Sequence, residues 1–273
     1  MRFPKTLLPA VLLAAIAAAA GRPVTAELPP PPAFTADELH HRYETGGWPG
    51  RQFLALSRTG DGQAIEVVGD LATARTIIVY VPGSGQSLSS FDSSFEGPGR
   101  AARALHREAT TIAPGVAVIG WLGYDPPDLI NPEILTIWPA ERGASRLRTF
   151  VRALPARARV SLVCHSYGSV VCGQAAPGLP VDDLVVTGSP GMGVRTAGQL
   201  RTPARVWAGL GRRDDVFRAG VRIGPLGFGT DPASPGFGAR VFDGGTATHG
   251  GYLKPGSPTL KRITRIAVTG TTG

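Results

Sequence analysis

Cysteine is scarce in this chain: only Cys164 and Cys172 occur among 273 residues. That scarcity excludes a disulfide-dense scaffold, and without a Cys/His quartet there is no basis for a structural zinc site. Lysine is scarce too, so the formal charge of +8 is carried almost entirely by arginine. Most of these arginines are scattered and no nucleic-acid-binding motif accompanies them, so nucleic acid is not an expected partner. The densest group, Arg142, Arg146, Arg148, Arg152, Arg157 and Arg159, alternates with Leu147, Phe150, Val151 and Leu154 at helical spacing. That pattern reads as an apolar stripe beneath a solvated face, with peripheral contact to an anionic cell envelope as its alternative use. Long apolar runs are missing as well. Leu7 to Ala20 is shorter than the roughly 20 residues a bilayer span needs. Preceded by Arg2 and Lys5 and followed by Val24-Thr25-Ala26, it reads as a signal peptide over residues 1–26 rather than a retained anchor. A secreted or envelope location is the expectation.

Hydrophobic residues make up 42% of the chain, enough for one sizeable core. No internal repeat or second domain is visible. Residues 27–50 read as a proline-rich leader and a short helix from Ala36, with Thr35 and Glu38 spaced as a capping box. Residues 51–273 read as one domain. Phe53 to Ser57 and Ala64 to Val68 form an antiparallel pair around Gly60-Asp61-Gly62, and Thr76 to Val81 is apolar enough to be buried on both faces. Strand and helix signals then alternate: strands at 116–120, 160–164, 184–187 and 205–208, and a last amphipathic helix near 259–266. The class implied is α/β, a mostly parallel sheet with helices on both faces and chemistry outside the carboxyl ends of the strands.

The stretch Val160 to Cys172, VSLVCHSYGSVVC, turns from strand to helix at Ser166. Such a turn lifts a serine hydroxyl above the sheet edge, and its usual signature is G-x-S-x-G. Here Gly168 supplies the second glycine and Cys164 replaces the first. Cys164 and Cys172 are either bridged or two buried thiols behind the serine. A serine hydroxyl needs a base, and of the five histidines His249, in the glycine-flanked loop Thr248-His249-Gly250-Gly251-Tyr252, is the candidate. His40, His41 and His106 lie in helices elsewhere, and His165 adjoins the serine with its side chain directed away. The acid that orients the base is Asp214, three residues after Gly211, with Asp215 as the alternative; Asp231 and Asp243 read as turn residues. Oxyanion donors are the backbone N–H of Tyr167 and, in Pro82-Gly83-Ser84-Gly85-Gln86, that of Ser84. This loop lacks the Gly-Lys-Ser/Thr ending of a phosphate-binding loop.

The order Ser166, Asp214, His249 is the one expected of this fold, rather than the orders of trypsin-like or subtilisin-like enzymes. PGSG, GWLGYDPP (Gly120 to Pro127), CHSYGS, VVTGSPGMGV (Val185 to Val194), FGARVF (Phe237 to Phe242) and HGGY together resemble an actinobacterial-type α/β-hydrolase family long catalogued as a domain of unknown function. The resemblance covers roughly Phe53 to the end. It implies the α/β-hydrolase fold and a Ser/Asp/His triad at the matching positions, and it implies no substrate. Cys164 departs from the family's GHSYGS. The reading is an exported carboxylic-ester hydrolase working through an acyl-enzyme on a small-molecule or lipid ester, without metal or cofactor. Amidase, thioesterase and acyltransferase chemistry use the same groups, and a non-catalytic envelope binding protein is the rival class. About fifteen residues between Thr187 and Arg205 are too few for a large lid there. The loop Arg218 to Ala239, with Trp121, Leu122 and Tyr124, is expected to shape the substrate pocket.

Overall fold

Among the described residues, the alternation of apolar strands with amphipathic helices resolves, in a computed structural model, into one eight-stranded sheet. Residues 28–45, 48–130, 132–214 and 228–272 are described. The expected signal peptide, Asp215 and residues 218–227 of the expected pocket loop lie outside them.

Helix α1 (Ala36–Thr45) begins where expected, the Thr35 hydroxyl accepting the Glu38 N–H at 3.4 Å. Strands β1 (Gln52–Ser57) and β2 (Gln63–Val68) pair antiparallel, and β2 also runs antiparallel to β4 (Val116–Leu122). From there the sheet is parallel: β3 (Thr76–Val81) lies between β4 and β5 (Arg159–His165), followed outward by β6 (Asp183–Thr187), β8 (Arg205–Leu210) and β10 (Arg240–Asp243). A separate two-residue-wide pairing joins β7 (Gly191–Val194) to β9 (Phe228–Gly229).

The two-residue period of the strands divides the core. Ile77, Val79, Val81, Leu162 and Cys164 point to the side covered by α3 (Trp138–Ala153) and α4 (Gly168–Ala175). Ile78, Tyr80 and Val163 point to the side covered by α2 (Pro98–Ala109) and α5 (Pro258–Thr269). Each such aliphatic side chain contributes about 1.5–3 kcal/mol relative to exposure. On the second side the buried Ser161 hydroxyl donates to the Ala267 carbonyl at 2.7 Å, pinning α5 to the central strand.

Three local expectations change. The arginine group is not one helical face: α3 ends at Ala153, and Arg159 instead opens β5 with its guanidinium on Asp183. The helix after the serine begins at Gly168, leaving Ser166 and Tyr167 in the turn. Asp243 ends a strand, β10, before its carboxylate accepts the Gly245 N–H at 2.8 Å. Only Phe242 of β10 is buried, so the strand owes its form to its partner β8 and carried little hydrophobic signal of its own.

Candidate active site

Strand β5 is central, and the chain leaves its carboxyl end through Ser166, a non-glycine residue with φ of 52°. L-residues pay roughly 1–2 kcal/mol for this left-handed backbone. The surroundings hold it there: the Ser166 N–H donates to the Thr187 carbonyl of β6 at 3.0 Å, and the Ser169 N–H returns to the Ser166 carbonyl at 2.9 Å. Gly168 is required by space, since a Cβ there would sit 2.5 Å from the Val81 and Pro82 carbonyl oxygens. Cys164, in the place of the usual first glycine, forms a disulfide with Cys172, joining the strand before the turn to the helix after it.

Asp214 arrives from the end of β8 through a turn in which its N–H donates to the Gly211 carbonyl at 3.1 Å. His249 arrives from the loop after β10. The two meet beyond the carboxyl ends of their strands, with His249 Nδ1 3.1 and 3.0 Å from the Asp214 carboxylate oxygens. The carboxylate can only accept, so Nδ1 carries the proton and Nε2 is left as the acceptor. Nε2 stands 3.0 Å from Ser166 Oγ. The structure thus joins the hydroxyl, imidazole and carboxylate selected from the sequence into one hydrogen-bonded series.

Asp214 is wholly buried, while His249 is about a quarter exposed. Burial pushes the Asp214 carboxyl up, but hydrogen bonds from His249 and Tyr252 and the nearby imidazoles outweigh it, and the group lies below the ordinary carboxylate range. In the sequence Tyr252 only closes the glycine-flanked His249 loop. Its hydroxyl donates to Asp214 Oδ2 at 2.7 Å and accepts the Gly211 N–H at 2.9 Å, tying the base-bearing loop to the acid-bearing one. Gly188 at the end of β6 makes room for the pair: its φ is +54°, and a Cβ would lie 2.9 Å from the Asp214 carboxylate and 3.0 Å from His249 Nδ1.

The loop after β3 presses against the serine. A Cβ on Gly83 would lie 2.7 Å from the Ser166 Cβ, which places Ser84 next to the closest backbone approach. Tyr167 follows the serine, its side chain buried; its hydroxyl donates to the Thr136 carbonyl at 2.7 Å and accepts the Ala140 N–H at 3.2 Å, linking the turn to the start of α3.

The pocket expectation needs correction. Trp121, Leu122 and Tyr124 are at most 1% exposed and belong to the interior. Tyr124 nonetheless serves the site from behind, its hydroxyl donating to the Pro82 carbonyl at 2.8 Å. The described part of the later loop does reach the serine's neighbourhood, where the Phe228 ring packs edge-on against Tyr167 at 5.4 Å. The large apolar side chains exposed on the 125–138 segment are Leu129, Ile130 and Trp138. A Cβ on Gly85, two residues beyond Gly83, would lie 3.3 Å from the Leu129 side chain, so Leu129 stands over that glycine. A cavity of about 490 Å³ bounded by Arg51, Glu66 and Arg103 lies off β2 instead, and its arginines are already paired with Glu66 and Asp92.

A mostly parallel sheet, a strained serine after its central strand, and an acid and a base contributed after later strands define an α/β-hydrolase arrangement. The family model described as alpha/beta hydrolase matches residues 58–224, and the chain belongs to that family. An uncharacterized protein of Mycobacterium tuberculosis (strain ATCC 25618 / H37Rv) is 31% identical over 194 residues, covering 66% of this chain and 73% of its own length. A second uncharacterized protein of that organism is 30% identical over 248 residues, covering 76% of this chain and 37% of its own length. Among solved structures the chain is similar to the esterase PE8, at 17% identity and a TM-score of 0.49 over 73% of this chain and 95% of that one. It is also similar to a serine hydrolase without lid from Xanthomonas campestris, at 15% identity and a TM-score of 0.49 over 82% and 94% of the respective chains.

Proposed function

We propose that this α/β-hydrolase is an exported serine esterase that cleaves carboxylic esters through an acyl-enzyme. The observation that carries the reading is the 3.0 Å approach of Ser166 Oγ to an imidazole whose other nitrogen is held by the buried Asp214. In the first half-reaction the Ser166 proton passes to His249 Nε2 as Oγ bonds to the ester carbonyl carbon. The carbonyl oxygen becomes an oxyanion, received by the N–H groups of Ser84 and Tyr167. Collapse breaks the bond to the alcohol oxygen, which takes the proton from the imidazolium and leaves. Water then gives a proton to His249, adds to the acyl carbon, and the second collapse returns that proton to Ser166 Oγ as the carboxylic acid departs.

Export is supported by the leader at residues 1–26 and by the Cys164–Cys172 bridge, since disulfides persist in oxidising compartments. Ester substrates of apolar character suit the exposed Leu129 over Gly85.

A fluorophosphonate probe tests the reading, because it phosphonylates only an activated serine. Wild type is expected to be labelled and to hydrolyse p-nitrophenyl esters, and Ser166→Ala to do neither. A folded wild type that resists labelling overturns the enzyme in favour of a binding protein on a hydrolase scaffold.

A further inference from the structure

His165 precedes the serine but faces the other way, into the interior against the back of the His249 loop. Its Nε2 lies 2.7 Å from the His249 backbone carbonyl, and a carbonyl only accepts, so Nε2 carries the proton. The ring is buried and lies tilted by 45° to the His249 ring, their centroids 4.8 Å apart. Burial first, and the neighbouring His249 second, push its basicity down to about 3, so the ring is neutral and serves as a fixed donor. Its bare Nδ1 faces Glu96 Oε2 at 4.0 Å. Glu96 is itself buried and fastens the far end of the same loop, accepting the Leu253 N–H at 3.1 Å and the Tyr80 hydroxyl at 3.1 Å.

The loop that carries the imidazole therefore has one internal anchor at residue 249 and another at residue 253. Between them lie Gly250 and Gly251, which supply no stiffness of their own, and Tyr252, whose hydroxyl is bound to Asp214 and Gly211, so the His249 carbonyl is the hold that precedes the glycines. We propose that His165 is a positioning residue: by holding the carbonyl of His249 it keeps that residue's imidazole in register with Ser166. This rests on the reading of Ser166 as nucleophile and His249 as its base. The mechanism is geometric, because a displacement of about 1 Å in a reacting group costs on the order of 100-fold in rate.

The test compares His165→Leu, which removes the donor at similar volume, with His165→Gln, whose amide N–H reaches the same point, and His165→Asn, whose amide falls short of it. Each folded variant is assayed for kcat and KM on p-nitrophenyl butyrate and for the rate of fluorophosphonate labelling. The Leu and Asn variants are expected to lose about 10- to 100-fold in kcat and labelling rate with KM within about twofold, and Gln to recover most of the loss. Wild-type kcat in folded His165→Leu overturns the proposal. Should the Leu variant not fold, the amide pair decides: Gln well above Asn supports it, and equal rates overturn it. An unlabelled wild type instead sinks the nucleophile assignment on which it stands.

Discussion

Asp183 and Asp214 are both fully buried carboxylates, one at the start of β6 and the other beyond the end of the neighbouring β8, so they sit at opposite edges of the sheet. Asp183, where β6 begins, accepts hydrogen bonds from the guanidinium groups of Arg159 and Arg205 and from Trp207 Nε1 at 2.8 Å. Asp214, beyond the end of β8, accepts from His249 and Tyr252. The first carboxylate faces cations that never release a proton in a protein, so its charge is permanently matched. The second faces an imidazole, whose charge can appear and vanish within a reaction cycle. The same burial thus produces a clamp at the amino end and a carboxylate facing a titratable partner at the carboxyl end. The strained Ser166 and the positive-φ Gly188 lie at the carboxyl end with Asp214, whereas Arg201, also non-glycine at positive φ, precedes β8.

The comparison is broken most strongly by Asp214→Asn. It is expected to lower kcat by about 10³- to 10⁴-fold on a chromogenic ester, because an amide no longer fixes the proton on His249 Nδ1. A comparable loss confined to Asp215→Asn would transfer the role to that neighbour. Asp183→Asn should reverse the pattern, leaving kcat per folded molecule within about twofold while lowering stability by about 2–3 kcal/mol, moderated because its arginine partners are partly solvated. Urea unfolding together with active-site titration separates the two effects, and an unchanged midpoint would deny Asp183 its structural role.

Glu96 sharpens the contrast by a smaller amount. Burial raises its folded-state value from 4.5 to about 7, so its contribution is present below the unfolded value and is lost as pH rises through about 7. His165 behaves oppositely: lowered from 6.5 to about 3, its contribution is present above the unfolded value and is lost as pH falls toward about 3. Between these limits the two offset one another. Glu96→Gln removes one side of the balance, so its stability should fall by about 1–2 kcal/mol more than that of wild type between pH 6.5 and 5. Parallel curves of Tm against pH for the two proteins would refute the account.

Much of this could be read from the chain alone wherever a signal is local. The run Thr76 to Val81 marks a doubly buried strand, Thr35 and Glu38 mark a helix start, and Gly60 and Gly62, both at positive φ, mark the hairpin turn. The order of Ser166, Asp214 and His249 is legible because each lies just beyond a recognisable strand or in a glycine-flanked loop, and a parallel sheet delivers all such loops to one edge. The supports were not legible. His165, Glu96 and Tyr252 look ordinary in sequence, and their importance comes from partners 84, 157 and 38 positions away. Trp121 is illegible for the same reason: an aromatic near a functional block suits a pocket wall or a core equally well, and only the packing of α3 on β4 assigns it to the core.

The amino-acid order by itself settled the strand-helix alternation and the residue types available at the carboxyl edge, since propensity and periodicity act over a few neighbours. Whether two cysteines eight positions apart would bridge, and which polar groups would stand behind the imidazole, depended on tertiary packing. Hydrogen bonds and sulfur contacts act over a few ångströms, and only the folded backbone brings residues distant in sequence within that range.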